Sequence, residues 1–295
     1  MEQNLSKTRI ESDLIGSREV PESALYGVQT LRGIENFNIS KFHLNEYPLF
    51  IQGLAITKMG AAMANRELDL LTEEQANAII EACKEILDGK HHDQFPVDMI
   101  QGGAGTTTNM NANEVIANRA LELMGHQRGE YQFCSPNDAV NRSQSTNDAY
   151  PTAIHIGLYY THLKLVEHFK ALIASFRKKA EEMAHIVKMG RTQLEDAVPM
   201  TLGQTFNGFA SILEQEVANL NYAAQDFLTV NMGATAIGTG ITSEPGYAEK
   251  CVAALRQITG LEIRLAEDLV GATSDTSCMV GYSGAMRRIA VKMNK

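Results

Sequence analysis

Three stretches of this sequence gather hydroxyl and amide side chains directly before a helical pattern. They are GGAGTTTNMNAN (residues 102–113), NRSQSTNDAYPT (141–152) and KMGRTQLEDAVPMTLGQ (188–204). A helix N-terminus leaves backbone N–H groups unpaired and carries partial positive charge, so it receives carboxylates or phosphates readily. Capping alone needs one side-chain oxygen, and that is the ordinary role of a Ser or Thr in this place. Ser145-Thr146-Asn147 offers several such groups, and two of the three stretches are longer than capping requires. Three on one chain favour a site for a small anion held by neutral donors.

Other chemistry-bearing patterns are weaker. His91-His92 follows Gly89-Lys90 and reads as an exposed loop, with no third ligand at a suitable spacing, so no metal site is expected. GTGITSEPG (238–246) lacks the strand-before, helix-after setting of a dinucleotide fingerprint. GGAGT at 102–106 lacks the lysine of a P-loop, and no GxSxG or HExxH occurs. Arg191 could pair with an anion, but Glu195 and Asp196 stand close by and favour a structural role.

The elements that must position these stretches are helical. Thr72-Glu-Glu-Gln75 is a capping-box pattern opening an amphipathic helix that runs to about Gly89. Residues 111–124 read as another helix, halted at Gly125. After Pro151, which suits a first helical turn, Leu158, Leu165 and Leu172 recur every seven residues, interleaved with Phe169, Phe176 and Met183. A second long helix carries Phe206, Leu213, Leu220 and Phe227 in one series and Ala210, Val217 and Ala224 in the other. Narrow apolar seams of this length pack nearly parallel or antiparallel in a bundle. Met279, Tyr282, Met286, Ile289 and Met293 begin a third such helix that meets the chain end without a stop signal, so the sequence reads as part of a longer chain. The fold class predicted is all-α: a small N-terminal domain over 1–140, then a central bundle of long helices over 141–295, cut before the bundle is complete.

The totals narrow the partners. Lys and Arg number 26 against 35 Asp and Glu, and the net charge of −9 opposes a nucleic-acid or anionic-membrane surface. Cys83, Cys134, Cys251 and Cys278 form no CxxC pair and read as reduced thiols of a cytoplasmic protein. The N-terminus has no apolar leader core, and no run approaches the length of a membrane span.

The long blocks DLIGSREVPESALYGVQTLR, FPVDMIQGGAGTTTNMNANEVIANRALELMG, NRSQSTNDAYPTA and VNMGATAIGTG together resemble the aspartase/fumarase superfamily, and its aspartase branch most closely. The resemblance covers essentially the whole chain. It implies a helical protein of three domains whose central bundles associate into a homotetramer, each active site being assembled from three subunits. It also implies reversible deamination of L-aspartate to fumarate and ammonia through an aci-carboxylate dianion, without a cofactor, although activation by a divalent cation is known within the family. By position, Thr106, Ser145 and Thr146 match ligands of the carboxylate that becomes the dianion, and Asn147 and Thr192 match residues near the leaving amino group. Gln193 stands where many fumarases, and some aspartases, have histidine. A neutral amide cannot relay a proton as imidazole can, which weighs against the alternative of a class II fumarate hydratase. Glu195 and Thr205 depart from the family's usual glutamine and glutamate. The catalytic serine base belongs to a glycine- and serine-rich loop expected beyond Lys295, so this chain alone is expected to be inactive. A non-catalytic helical assembly module is the remaining alternative, and the intact Thr106, Ser145, Thr146, Asn147 and Thr192 set opposes it.

Overall fold

The computed structural model describes residues 7–294; the leader reading on MEQNLS and the expectations attached to Lys295 and beyond lie outside the described residues. An antiparallel hairpin, β1 (Thr8–Asp13) and β2 (Gly16–Pro21), precedes α1 (Val28–Asn36), α2 (Pro48–Glu67), α3 (Glu73–Leu87) and α4 (Thr106–Leu123). The long α5 (Thr146–Glu182) runs into a second hairpin, β3 (Val187–Thr192) and β4 (Glu195–Thr201), and then α6 (Leu202–Ala224). Next come β5 (Thr229–Val230), α7 (Tyr247–Thr259), β6 (Arg264–Leu265), α8 (Leu269–Ser274) and α9 (Ser277–Met293), with β5 and β6 paired in parallel. The protein is mainly helical, as its periodicity predicts, with three two-stranded ladders among the described residues that the periodicity does not reveal.

Contacts divide the chain into two compact units: residues up to Leu158 with Leu228–Asp275, and Tyr159–Phe227 with the residues from Thr276. The change of helix length suggests a boundary at 140/141, but the division falls inside α5. The first turns of α5 are buried in the first unit. Gly53 of α2 makes this possible, because a Cβ there would stand 2.3 Å from the Ala153 carbonyl oxygen.

In the first unit α2 is buried on nearly every face, from Ile51 to Asn65, with α3 and α7 packed on it. The α3 capping box forms as expected, Gln75 N–H donating to Thr72 Oγ1 at 3.2 Å and Thr72 N–H to Gln75 Oε1 at 3.3 Å. α4 begins at Thr106 rather than 111. Its first turns carry buried Thr108, Asn109, Asn111 and Asn113 instead of an apolar stripe. Buried Glu114 of α4 accepts N–H donors from Gly27, Gln29 and Thr30 at 2.8–2.9 Å, which caps α1 from outside its own sequence. Burial raises the pKa of this carboxyl, and the hydrogen bonds from Thr30, Gln29 and Gly27 oppose the rise. Glu114→Ala strands three amide donors and is expected to cost about 2–4 kcal/mol. Hydrogen exchange should then quicken at Gly27, Gln29 and Thr30 first; a uniform change across the unit would contradict this role.

The second unit is built on α6, α9 and the rest of α5. Its core is Val166, Phe169 and Ile173 from α5, Ala210, Leu213, Val217 and Leu220 from α6, and Ala285 and Ile289 from α9. Leu165 and Leu172 are only partly buried, so the α5 seam lies one residue beyond the leucine series. Glu216, 1% exposed on α6, holds Lys292 at 2.6 Å and Arg288 at 3.2 Å, tying α9 to α6.

Candidate active site

Thr106 opens α4, and the residue before it, Gly105, is left-handed with φ +94°. A Cβ on Gly105 would lie 2.5 Å from the ring of Tyr150, so glycine lets the start of α4 close onto α5. The Thr106 hydroxyl donates to the Gly103 carbonyl at 2.7 Å and is exposed. Gln101 caps the same turn, accepting from Thr108 N–H at 2.8 Å and donating to Thr108 Oγ1 at 2.9 Å.

α5 begins at Thr146, earlier than the first turn expected around Pro151. Ser145 caps it: Asn147 N–H donates to Ser145 Oγ at 3.2 Å, while Ser145 N–H donates to Asp148 Oδ1 at 2.9 Å. Pro151 therefore lies inside the helix and removes the N–H that would bond the Asn147 carbonyl. Asn231 Nδ2 supplies the missing donor at 3.0 Å. The Asn147 side chain donates to the Ala236 carbonyl at 2.7 Å.

A buried polar layer joins these two helix starts. Asn109, three residues along α4 from Thr106, donates through Nδ2 to Thr146 Oγ1 and to Asn141 Oδ1, each at 3.1 Å. The fully buried Lys58 ammonium donates to Asn141 Oδ1 and Gln144 Oε1, both at 2.9 Å. Burial pushes Lys58 down to about 7, with the Asp148 charge resisting. Burial also raises Asp148 to about 6, against hydrogen bonds from the Ser145 and Thr235 amides and then the charge of Lys58. Gly233 N–H is a further donor to Asp148, at 3.2 Å.

Thr106, Ser145, Thr146 and Asn147 are thus set by two helix N-termini braced against each other in one unit. Thr192 and Gln193 belong to the other unit. Gln193 and Leu194 form the two-residue tip between β3 and β4, with Thr192 opposite Glu195. Both tip residues have positive φ, +49° and +70°, in a turn that ordinarily selects Asn and Gly. Leu194 is 94% exposed, so packing does not enforce this conformation. Leu194→Gly is expected to raise the melting free energy by about 1 kcal/mol; a loss of stability would show the tip to be unstrained. Arg191 pairs with Asp196 at 3.1 Å, in line with the structural role read for it. A cleft of about 710 Å³ in the first unit has Thr106 and Thr107 on its wall, with Arg32 committed to Asp13 at 2.9 Å. Ser145, Thr146 and Asn147 are not part of its lining.

Sequence reasoning passes over Lys58, Asn109, Asn141, Gln144, Asp148 and Asn231. Lys58 leaves a signal, as the lone charge in the run LAITKMGAAMA. The alternate spacing of Asn109, Asn111 and Asn113 is a second. The partners that give these residues meaning lie tens of positions away.

Neutral donors gathered at two helix starts braced by the Asn109–Thr146 hydrogen bond make an arrangement suited to a small anion, and the comparisons agree with the helical fold. The profile of the lyase family matches residues 16–295, and the chain belongs to that family. Aspartate ammonia-lyase of Escherichia coli (strain K12) is 54% identical over 288 residues, 97% of this chain and 60% of that protein. The crystal structure of fumarate lyase:delta crystallin from Brucella melitensis bound to cobalt superposes with a TM-score of 0.93 at 50% identity, covering 97% of this chain and 62% of that one. Recombinant class II fumarase from Schistosoma mansoni gives a TM-score of 0.91 at 31% identity, over 97% and 63%. The chain spans about 60% of the length of the curated relatives it matches.

Proposed function

We propose that this chain is part of a carbon–nitrogen lyase that removes ammonia reversibly from L-aspartate to give fumarate. The observation that carries the reading is the brace of α4 on α5, in which Asn109 of α4 donates to Thr146 Oγ1 at the start of α5 at 3.1 Å. One substrate carboxylate docks on the neutral donors at these two helix starts. A base removes the proton from the adjacent carbon, and the C–H electron pair spreads into that carboxylate as an aci-carboxylate dianion. The dianion returns the pair to form the C=C bond, and the amine leaves with the C–N electrons. Charge on the bound carboxylate grows along this path, so donors fixed in advance favour the transition state over the ground state.

The base is assigned to a serine beyond residue 295. Asn147, Thr192 and Gln193 are placed near the leaving amine. A homotetramer in which three subunits share each site is the assembly proposed. No cofactor is required for these steps, and a divalent cation is left the role of an activator. Among the described residues no helix is long and apolar enough to cross a membrane, and the cytoplasm is the compartment proposed. The higher identity to aspartate ammonia-lyase than to the fumarase favours ammonia over water as leaving group. The test is the growth of fumarate absorbance with protein expressed from its complete reading frame. Aspartate should support it and malate should not; turnover of malate alone would overturn the proposal.

A further inference from the structure

The donor direction of the Thr146 hydroxyl is decided two residues away. Asn141 Nδ2 donates to the Gln144 carbonyl at 3.3 Å, a group that can only accept, so Asn141 Oδ1 is the atom left to accept from Lys58 Nζ. Asn109 must then present its NH₂ to that oxygen; the flipped amide would set two carbonyl oxygens against each other. The second N–H of the same NH₂ points at Thr146 Oγ1. The Asn109 carbonyl oxygen is left buried with no partner, a cost that this orientation incurs. Thr146 Oγ1 thereby accepts a hydrogen bond, and its own O–H must be donated elsewhere. The usual outlet for a threonine in a helix is the carbonyl four residues back. Here that carbonyl, Arg142 O, already receives Asn65 Nδ2 at 2.9 Å and Gln144 Nε2 at 3.1 Å.

We infer that Asn109 is a positioning residue, which holds Thr146 Oγ1 as an acceptor and so turns the Thr146 O–H outward as a donor to the substrate carboxylate. This rests on the lyase reading above. Asn109→Asp reverses the polarity: its carboxylate accepts a hydrogen bond from the Thr146 O–H and turns that donor away from substrate. Asn109→Ala removes the brace and leaves the hydroxyl free to turn.

The experiment is a double-mutant cycle on kcat/KM for aspartate, using protein from the complete reading frame, with Thr146→Val as the second change. Asn109→Asp is expected to lower kcat/KM about 100-fold in the parent and less than about 3-fold in the Thr146→Val background. Equal losses in both backgrounds would mean that Asn109 acts on general packing, and would overturn the inference while leaving the lyase reading intact. A parent without aspartate turnover overturns both. If the aspartate variant does not fold, Asn109→Ala serves instead: about a 10-fold loss confined to the Thr146 background supports the inference, and equal losses overturn it.

Discussion

Replacing Lys58 with methionine is expected to lower the unfolding free energy by about 3–5 kcal/mol, because one partner of a buried charged network is removed and the others remain. Asn141 Oδ1 and Gln144 Oε1 lose their donor, and Asp148 loses the positive charge that opposes its burial. Methionine fills most of the volume, so the loss is electrostatic rather than a cavity. The melting temperature should fall by roughly 10 °C for a unit of this size. Adding Asp148→Asn should recover part of it, since the stranded carboxylate is then neutral. A Lys58→Met protein as stable as the parent would show that the layer contributes no net stability.

The same pair sets a pH dependence. In the unfolded chain Lys58 holds its proton to about 10.5, but in the folded chain only to about 7. The unfolded state therefore binds more protons between these values, and stability rises with pH there. Asp148 is raised from 3.8 to about 6, so its contribution falls as pH climbs through that lower interval. Cys83 and Cys251, raised by burial from 9.0, begin to oppose the rise once unfolded thiols ionise. Chemical denaturation between pH 7 and 8.5 should show a rising stability that Lys58→Met abolishes; an unchanged slope in the variant would contradict the assignment.

The second large effect is on turnover. Thr146→Val keeps the branched shape and deletes the hydroxyl proposed to face the accumulating charge. Removing one donor of this kind costs about 10²–10³ in kcat. KM should move less, because the ground-state carboxylate keeps Ser145 and the α5 N-terminus. The melting temperature should stay close to the parent's, since Asn109 loses a single neutral acceptor. A change in KM with kcat preserved would mean that Thr146 binds ground state and transition state alike.

How far the sequence reveals these features depends on how local their causes are. The Thr72–Gln75 box closes within four residues, and its helix is found where it is read. α4 hides its first turns because buried asparagines replace the apolar stripe that marks a helix. The 187–201 hairpin hides because Gln193-Leu194 is not turn chemistry for positive φ. In α5 the Phe169 and Phe176 series is found as read, but the leucine series is displaced by one residue because Val166 and Ile173 join the core with α6 and α9, which the α5 pattern alone does not encode. Ser145, Thr146 and Asn147 stand out by composition, and Thr106 by the glycines before it. Lys58, Asn109, Asn141 and Asp148 acquire their roles only when three distant segments meet.

The proposed elimination is tested most directly in reverse. Fumarate and ammonium are incubated in D₂O with protein from the complete reading frame, and the products are read by proton NMR. The expected product is aspartate carrying one deuterium on the carbon beside the bound carboxylate, with ammonia added across the double bond. Malate in place of aspartate, or fumarate left unchanged, would contradict it.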